Sequence, residues 1–535
     1  MLARRFLPKN LVLNFNFIKF NTMRILYNTC VADPFVFVAE KMQKDYDYEP
    51  VYWIGYDDDG SEELVKEHLP NTKYHNWRDA WKAVFPNDIE EEIKYVNLDI
   101  DMLRSLSMYE LQGIKMMDRL DNDRYSFNFM EREQFYHNLM KGWMACLNVY
   151  RPDVVISGVN PHRVYDYVLY LVCKYRGIHF LNFQHTLCEE RTFCVNGNYT
   201  IGDIFDKSYV AALNNTRLSP EDLAPEIKAQ FDKVVKSYKE AAPQYMAVHK
   251  VNHKKYSNWF YLIGKGITTY SFFGKDKVKV KGDFSLKKRG TELKDAHFSL
   301  VETAEMMRKA QKYKNELNKL YSSLTSTPVD GEKYVLFPLH FQPEETTSPS
   351  GDIFVNQILV VETLLKNTPE TYMIYVKEHP QQLQSHTAGH KSRIKDYYTY
   401  LSKLPRIKLM PLELNSYQLM KNATAVATIT GTVGWEALMH HIPVIIFGFI
   451  WYEKMPGVLR VTDSASASRI MQFIADYKYD EHKVVSYLKA FEENTVYAYH
   501  YLDQKATMNM KTEDCAAILS QYIFKRVEYI YKQEL

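Results

Sequence analysis

Ala425-Val426-Ala427-Thr428-Ile429-Thr430-Gly431-Thr432-Val433-Gly434-Trp435-Glu436-Ala437-Leu438 runs from an apolar strand-like stretch, through a hydroxyl-rich turn, into a helical one. The residues around it repeat the alternation. Upstream, 334–337 reads as a strand, 353–365 as a helix, 372–376 as a strand and 417–422 as a short helix; downstream, 434–441 reads as a helix and 443–447 as a strand. Strands spaced by helices on this scale imply a doubly wound parallel sheet, in which ligands sit beyond the carboxyl ends of the strands.

A similar alternation fills 23–205. Residues 24–27 and 50–54 look like early strands, 130–150 like a helix, 154–158 like a short buried strand ending in a turn, and 178–183 like the next strand. Asn160-Pro161-His162 is expected to open the intervening helix, with Asn160 as N-cap and Pro161 at the first helical position. The fold class is therefore α/β, with two Rossmann-like domains facing across a cleft. Five segments follow: an extension 1–22, a first domain 23–205, a connector 206–328, a second domain 329–480 and C-terminal helices 481–535. In the connector, 220–253 and 293–324 read as helices.

Composition narrows the partners. The 535 residues carry 67 Lys+Arg against 65 Asp+Glu, a net charge of +2, which gives no field for gripping nucleic acid. Six cysteines without a C-x-x-C pair provide neither a disulfide scaffold nor a zinc signature, so a reduced cytoplasmic setting is expected. The most apolar stretch, 442–452, is about half the ~20 residues of a membrane-crossing helix. The Lys- and aromatic-rich stretch 254–289 reads either as a connector packing its aromatics inward or as a patch for peripheral contact with the cytoplasmic membrane face.

Three post-strand segments of the second domain carry the chemistry. Thr430-Gly431-Thr432 opens a helix, so its backbone N–H groups and hydroxyls suit an anionic phosphate, and Glu436 can accept from ribose hydroxyls. His379-Pro380 presents an imidazole from an extended turn, suited to a phosphate leaving group. His340, Gln342, Glu344 and Glu345 follow the first strand; either carboxylate is a candidate general base or nucleophile. In the first domain, His162 and Asp166 are spaced i,i+4, which suits acceptor-side groups or a local ion pair better than a metal pair lacking third and fourth ligands, and His185 ends a strand where it can contact an acceptor. No metal ligand set is recognised, and the residues themselves require no cofactor.

Taken together, FPLHFQPEETTSPSGD, YVKEHP and TGTVGWEAL followed by PVIIFG resemble the bacterial capsule polysaccharide biosynthesis family, which includes Kdo transferases. The resemblance extends over 334–448 and more loosely over RPDVVISG and NPHRVYDYVLYLVCKYRGI. It implies a GT-B glycosyltransferase that moves a sugar, Kdo or another CMP-linked acidic sugar, from a nucleotide donor to a capsule or surface glycan, free or lipid-linked. It further implies that His379, Pro380, Thr430, Gly431 and Thr432 hold the donor phosphate and that Glu344 is the catalytic carboxylate. Where those relatives carry an Asp-rich segment, this chain has His340-Phe341-Gln342-Pro343-Glu344. A CDP-polyol-dependent glycerophosphate-type transferase and a non-catalytic glycan-binding or assembly protein are the alternatives on this fold.

Overall fold

A computed structural model describes residues 22–56, 60–121, 128–186, 188–197, 201–236, 286–289, 292–295, 300–384 and 387–534. The strands are β1 (Met23–Asn28), β2 (Tyr48–Gly55), β3 (Lys73–Asn76), β4 (Val154–Ser157), β5 (His179–Gln184), β6 (Arg191–Asn196) and the hairpin β7 (Leu286–Arg289) and β8 (Glu292–Asp295). They continue with β9 (Tyr334–Pro338), β10 (Met373–Lys377), β11 (Ile407–Met410), β12 (Ala425–Thr428), β13 (Val444–Ile446), β14 (Val458–Arg460) and β15 (Thr495–Tyr497).

The second sheet runs β11-β10-β9-β12-β13-β14 and is parallel throughout. Renumbered within the domain this is 3-2-1-4-5-6, the Rossmann order, and its switch point lies between β9 and β12. Both faces of β9 are covered: Val335, Leu336 and Phe337 are wholly buried. Each such side chain contributes about 1.5–3 kcal/mol relative to exposure, so β9 is an anchor from which the following loop is hung.

The first sheet runs β15-β6-β5-β4-β1-β2-β3. Strands β1 to β5 are parallel, β6 runs antiparallel to β5 and β15 antiparallel to β6, and the order reverses between β1 and β4. Here the chain passes very close to itself: a Cβ on Gly158 would lie 2.7 Å from the carbonyl of Thr29. The two sheets make the expected α/β pair.

The last segment does more than append helices. Residues 495–497 return as β15 on the first sheet, and the helix Thr512–Glu534 buries Cys515, Leu519, Ile523 and Val527 in the cluster that includes Phe35 and Val38 of the helix Ala32–Tyr46. The first domain is thus completed by the end of the chain. The Lys- and aromatic-rich stretch lies outside the described residues except for the backbone of β7, as does 237–253 of the expected connector helix; 225–236 is helical. The helix expected from 293 begins at Leu300.

The helix after β4 begins at Tyr165, not at Pro161. Val164 precedes it with φ 28°, and the carboxylate of Asp166 accepts the N–H groups of Arg163 (2.6 Å) and Tyr167 (2.7 Å). His162 therefore stands in an irregular loop, off any helical face shared with Asp166. Among the described residues, no group of three or more His, Cys, Asp or Glu is placed to hold a metal. Nor is any described helix long and apolar enough to cross a membrane.

Candidate active site at the domain cleft

The loops after β9, β10 and β12 meet at the switch point of the second sheet, and His340 joins them. Its Nε2 accepts the backbone N–H of Thr430 at 3.1 Å and lies 3.3 Å from the Thr428 hydroxyl. That acceptance puts the ring proton on Nδ1, which is buried without a hydrogen-bond partner among the described residues. Burial, with the charges of His379 and Arg393 nearby, pushes the His340 imidazole down to about 3. His340 is consequently a neutral pin between loops, not a reacting group.

His379 is half-buried, Pro380 is exposed, and the His379 ring lies 6.0 Å from that of Phe341. Its Nδ1 accepts the N–H of Gln381 at 3.2 Å, which leaves Nε2 to carry the proton. The turn is held from below. Glu378, wholly buried, takes Arg393 Nε (2.7 Å) and Nη2 (3.2 Å), the Tyr398 hydroxyl (2.6 Å) and the N–H of His379 (2.7 Å). Arg393 reaches on to Gln342 Oε1 (2.7 Å) and the His340 carbonyl (3.2 Å). Gln342 spends its own amide on Thr347 and Val355, so this candidate site residue is scaffold.

At the third segment the backbone is only partly open. The N–H of Thr430 goes to His340 and that of Gly431 to the Thr428 hydroxyl at 2.9 Å, while the Thr430 hydroxyl donates to the Thr346 carbonyl at 2.7 Å. Gly431 caps the helix Thr432–Met439 with no side-chain bond, so the N–H groups of Thr432 and Val433 find no acceptor among the described residues. The backbone donors left open are thus one step further along than Thr430 and Gly431. Gly431 itself is required by close approach: an added Cβ would meet Thr428 Oγ1 at 2.8 Å and His340 Nε2 at 3.2 Å. Glu436, one turn into the helix, is pushed up to about 7 by desolvation, opposed by its bond to Thr432.

Glu344 and Glu345 face the first domain, in different surroundings. Glu344 reaches the cleft's solvent and accepts the Thr346 hydroxyl at 3.0 Å. Glu345 turns toward His162: its Oε2 lies 3.5 Å from His162 Nδ1, and Asn160 also hydrogen-bonds it. Both carboxyls are raised, chiefly by desolvation between the domains, and both are held down in part by Arg119. Arg119 spans the cleft, donating through Nη1 to the His162 carbonyl and through Nη2 to the Ser348 carbonyl at 2.6 Å. Gln112 bonds the Asp352 carbonyl across the same boundary.

The structure therefore brings His340, Glu344, Glu345, His379, Thr430–Thr432 and, from the other domain, His162 to one cleft. Asp166 is wholly buried, its Oδ1 accepting the N–H groups of Arg163 and Tyr167, with burial pushing it up to about 6, and so lies out of an acceptor's reach. His185 follows β5 and packs edge-on against Tyr501, with ring centroids 4.7 Å apart. Arg119, Arg393 and Asn160 were not anticipated as site residues. Single arginines carry no spacing signal, although the N-cap reading had drawn attention to Asn160.

Residues 295–488 match the family described as capsule polysaccharide biosynthesis protein, which bears out the resemblance over that span. The capsule polysaccharide modification protein LipA of Neisseria meningitidis serogroup B is 26% identical over 168 residues, or 29% of this chain. LipA of serogroup A matches to the same extent, and the match covers 22% of the length of each relative. Among solved structures, the chain is similar to the beta Kdo 2,7 transferase KpsC of Thermosulfurimonas dismutans (16% identity, 36% of this chain and 57% of that one, TM-score 0.21). It is also similar to UDP-GlcNAc 2-epimerase of Methanocaldococcus jannaschii (13% identity, 86% and 94%, TM-score 0.23). Strand order and direction, not these loose superpositions, define the fold.

Proposed function

We propose that the protein is a glycosyltransferase that moves a sugar from a CMP-linked donor, Kdo or another acidic sugar, onto a capsule or surface glycan. The observation that carries this reading is the convergence of an open helix N-terminus, a protonated His379 Nε2 and a carboxylate pair at one switch point. The N–H groups of Thr432 and Val433 receive the donor phosphate. His379 donates a hydrogen bond to it and stabilises the charge that develops as CMP departs. Glu436 sits where a ribose hydroxyl can bond its carboxyl.

Glu344, open to the cleft, attacks the anomeric carbon; the carbon–phosphate oxygen bond breaks and its electron pair leaves with CMP. The first domain supplies the acceptor, and the bonds of Arg119 and Gln112 across the cleft keep water out while the sugar is held. All six cysteines are free and buried, in keeping with a cytoplasmic enzyme.

Thermal shifts with CMP, CDP, UDP and GDP test the reading in wild type and His379→Ala. CMP is expected to stabilise the wild type selectively, by about 2.7 kcal/mol at one hundred times its Kd, and to lose most of that effect in the variant. A preference for UDP or GDP overturns the donor assignment, and stabilisation by a CDP-polyol alone favours a glycerophosphate-type transfer. Indifference to every nucleotide favours a glycan-binding protein.

A further inference from the structure

The loop between β4 and the helix Tyr165–Arg176 places an imidazole opposite the carboxylates of the other domain. His162 Nδ1 lies 2.6 Å from the Asn160 carbonyl, which can only accept, so the ring proton resides on Nδ1 and the lone pair on Nε2. No described group hydrogen-bonds Nε2, and the side chain is one-fifth exposed, so the lone pair is reachable from the cleft. Arg119 fastens the His162 carbonyl to the Ser348 carbonyl and fixes the ring beside the β9 loop. Glu345 Oε2 stands 3.5 Å from Nδ1. While the ring is neutral the Asn160 bond dominates; once Nε2 takes a proton, the carboxylate stabilises the imidazolium.

We infer that His162 is the general base that deprotonates the acceptor hydroxyl, and that Glu345 is the residue that positions it and stabilises its charged form, contributed by the opposite domain. The inference rests on the glycosyltransferase reading. In the transfer step the acceptor hydroxyl proton passes to His162 Nε2, and the acceptor oxygen bonds the anomeric carbon. The bond from that carbon to Glu344 breaks, and its electron pair returns to the Glu344 carboxylate. Two adjacent glutamates thereby divide the work: Glu344 touches the sugar and Glu345 touches the base. Because base and partner come from different domains, the pair exists only when the cleft is closed, which ties proton transfer to the exclusion of water.

Burial keeps the free His162 ring neutral, and of the charged and titratable groups around it Arg163, Arg119 and His185 act in the same direction. Glu345 is the opposing carboxylate.

Full-length protein with CMP-Kdo as donor tests the assignment. His162→Gln is expected to release one equivalent of CMP rapidly and then turn over about 100-fold or more slowly than wild type, with its thermal shift by CMP intact. Glu345→Gln is expected to slow turnover less, to displace the acid limb of the pH profile to lower pH, and to cost nothing further in the His162→Gln background. Steady turnover in His162→Gln within about threefold of wild type, or an acid limb unmoved by Glu345→Gln, overturns the inference. Nitrogen NMR of histidine-labelled, nucleotide-free protein separates it from the donor reading. The resonance lost in His162→Gln must show protonated Nδ1 and bare Nε2 in wild type, and must titrate at lower pH in Glu345→Gln. The opposite tautomer, or a titration indifferent to Glu345, refutes the pair whatever the donor.

Discussion

Replacing Arg393 with Met removes a guanidinium that joins the loops after β9 and β10 beneath the candidate phosphate site. Both Arg393 and Glu378 have fully buried side chains, and the arginine holds the carboxylate through two nitrogens at 2.7 and 3.2 Å. Removing one partner of such a pair leaves an uncompensated charge and costs about 3–5 kcal/mol. At about 2–4 °C per kcal/mol for a domain of this size, the Tm of the second domain should fall by about 6–20 °C. Loss of the bonds to Gln342 and the His340 carbonyl also frees the loops that seat His379, so stabilisation by CMP should weaken. Glu378→Gln in the same chain removes the stranded charge; its amide oxygen can still accept the His379 N–H while its NH2 group donates to the Tyr398 hydroxyl oxygen, and it should restore at least half of the lost Tm. Calorimetry on the two single variants and the double decides the matter. A shift under about 2 °C for Arg393→Met, or a double variant as unstable as the sum of the singles, refutes the reasoning.

The Glu436 carboxyl, raised to about 7, makes the folded state bind more protons than the unfolded chain between its ordinary range and neutrality, so stability falls as pH rises through that window. Glu436→Gln should therefore raise Tm at pH 8 and leave it nearly unchanged at pH 5; an equal effect at both pH values contradicts this. Gly431→Ala pushes a methyl against Thr428 Oγ1 and His340 Nε2, and should abolish stabilisation by CMP while lowering Tm by about 2–12 °C; undiminished CMP binding would show that the turn does not need its glycine. Leu519→Ala opens a cavity between the C-terminal helix and the first domain and should cost about 2–5 kcal/mol in chemical denaturation, with β15 losing protection from hydrogen exchange; an unchanged denaturation midpoint would detach the tail from the first domain's stability.

Strands buried on both faces were the most legible part of the fold. The run 334–337 and the stretch 425–429 are continuous apolar segments bounded by turn residues, and they became β9 and β12 within a residue or two. Short or edge strands were missed: β3, Lys73–Asn76, carries one apolar-bodied tyrosine among polar residues, and β15 is three residues long. Its pairing with β6 joins segments some three hundred residues apart, which no local pattern encodes. The Asn160-Pro161 helix start failed because the backbone turns at Val164 and Asp166 takes over the cap, a tertiary constraint that outweighs local propensity.

Of the candidate site, the groups that follow strands were found from the chain, since a parallel sheet sends every such loop to one side. Their roles were not. His340 and Gln342 have the chemistry of active residues, and only their partners reveal that they brace the loops. The adjacent glutamates could be told apart only once the first domain was in place, because His162 and Asn160 meet Glu345 and not Glu344.

A crystal structure with CMP bound tests the central claim most directly. The account predicts the phosphate within hydrogen-bond reach of the Thr432 and Val433 N–H groups and of His379 Nε2, with the ribose beside Glu436. CMP seated elsewhere, or a phosphate that leaves both the helix start and the imidazole untouched, contradicts it.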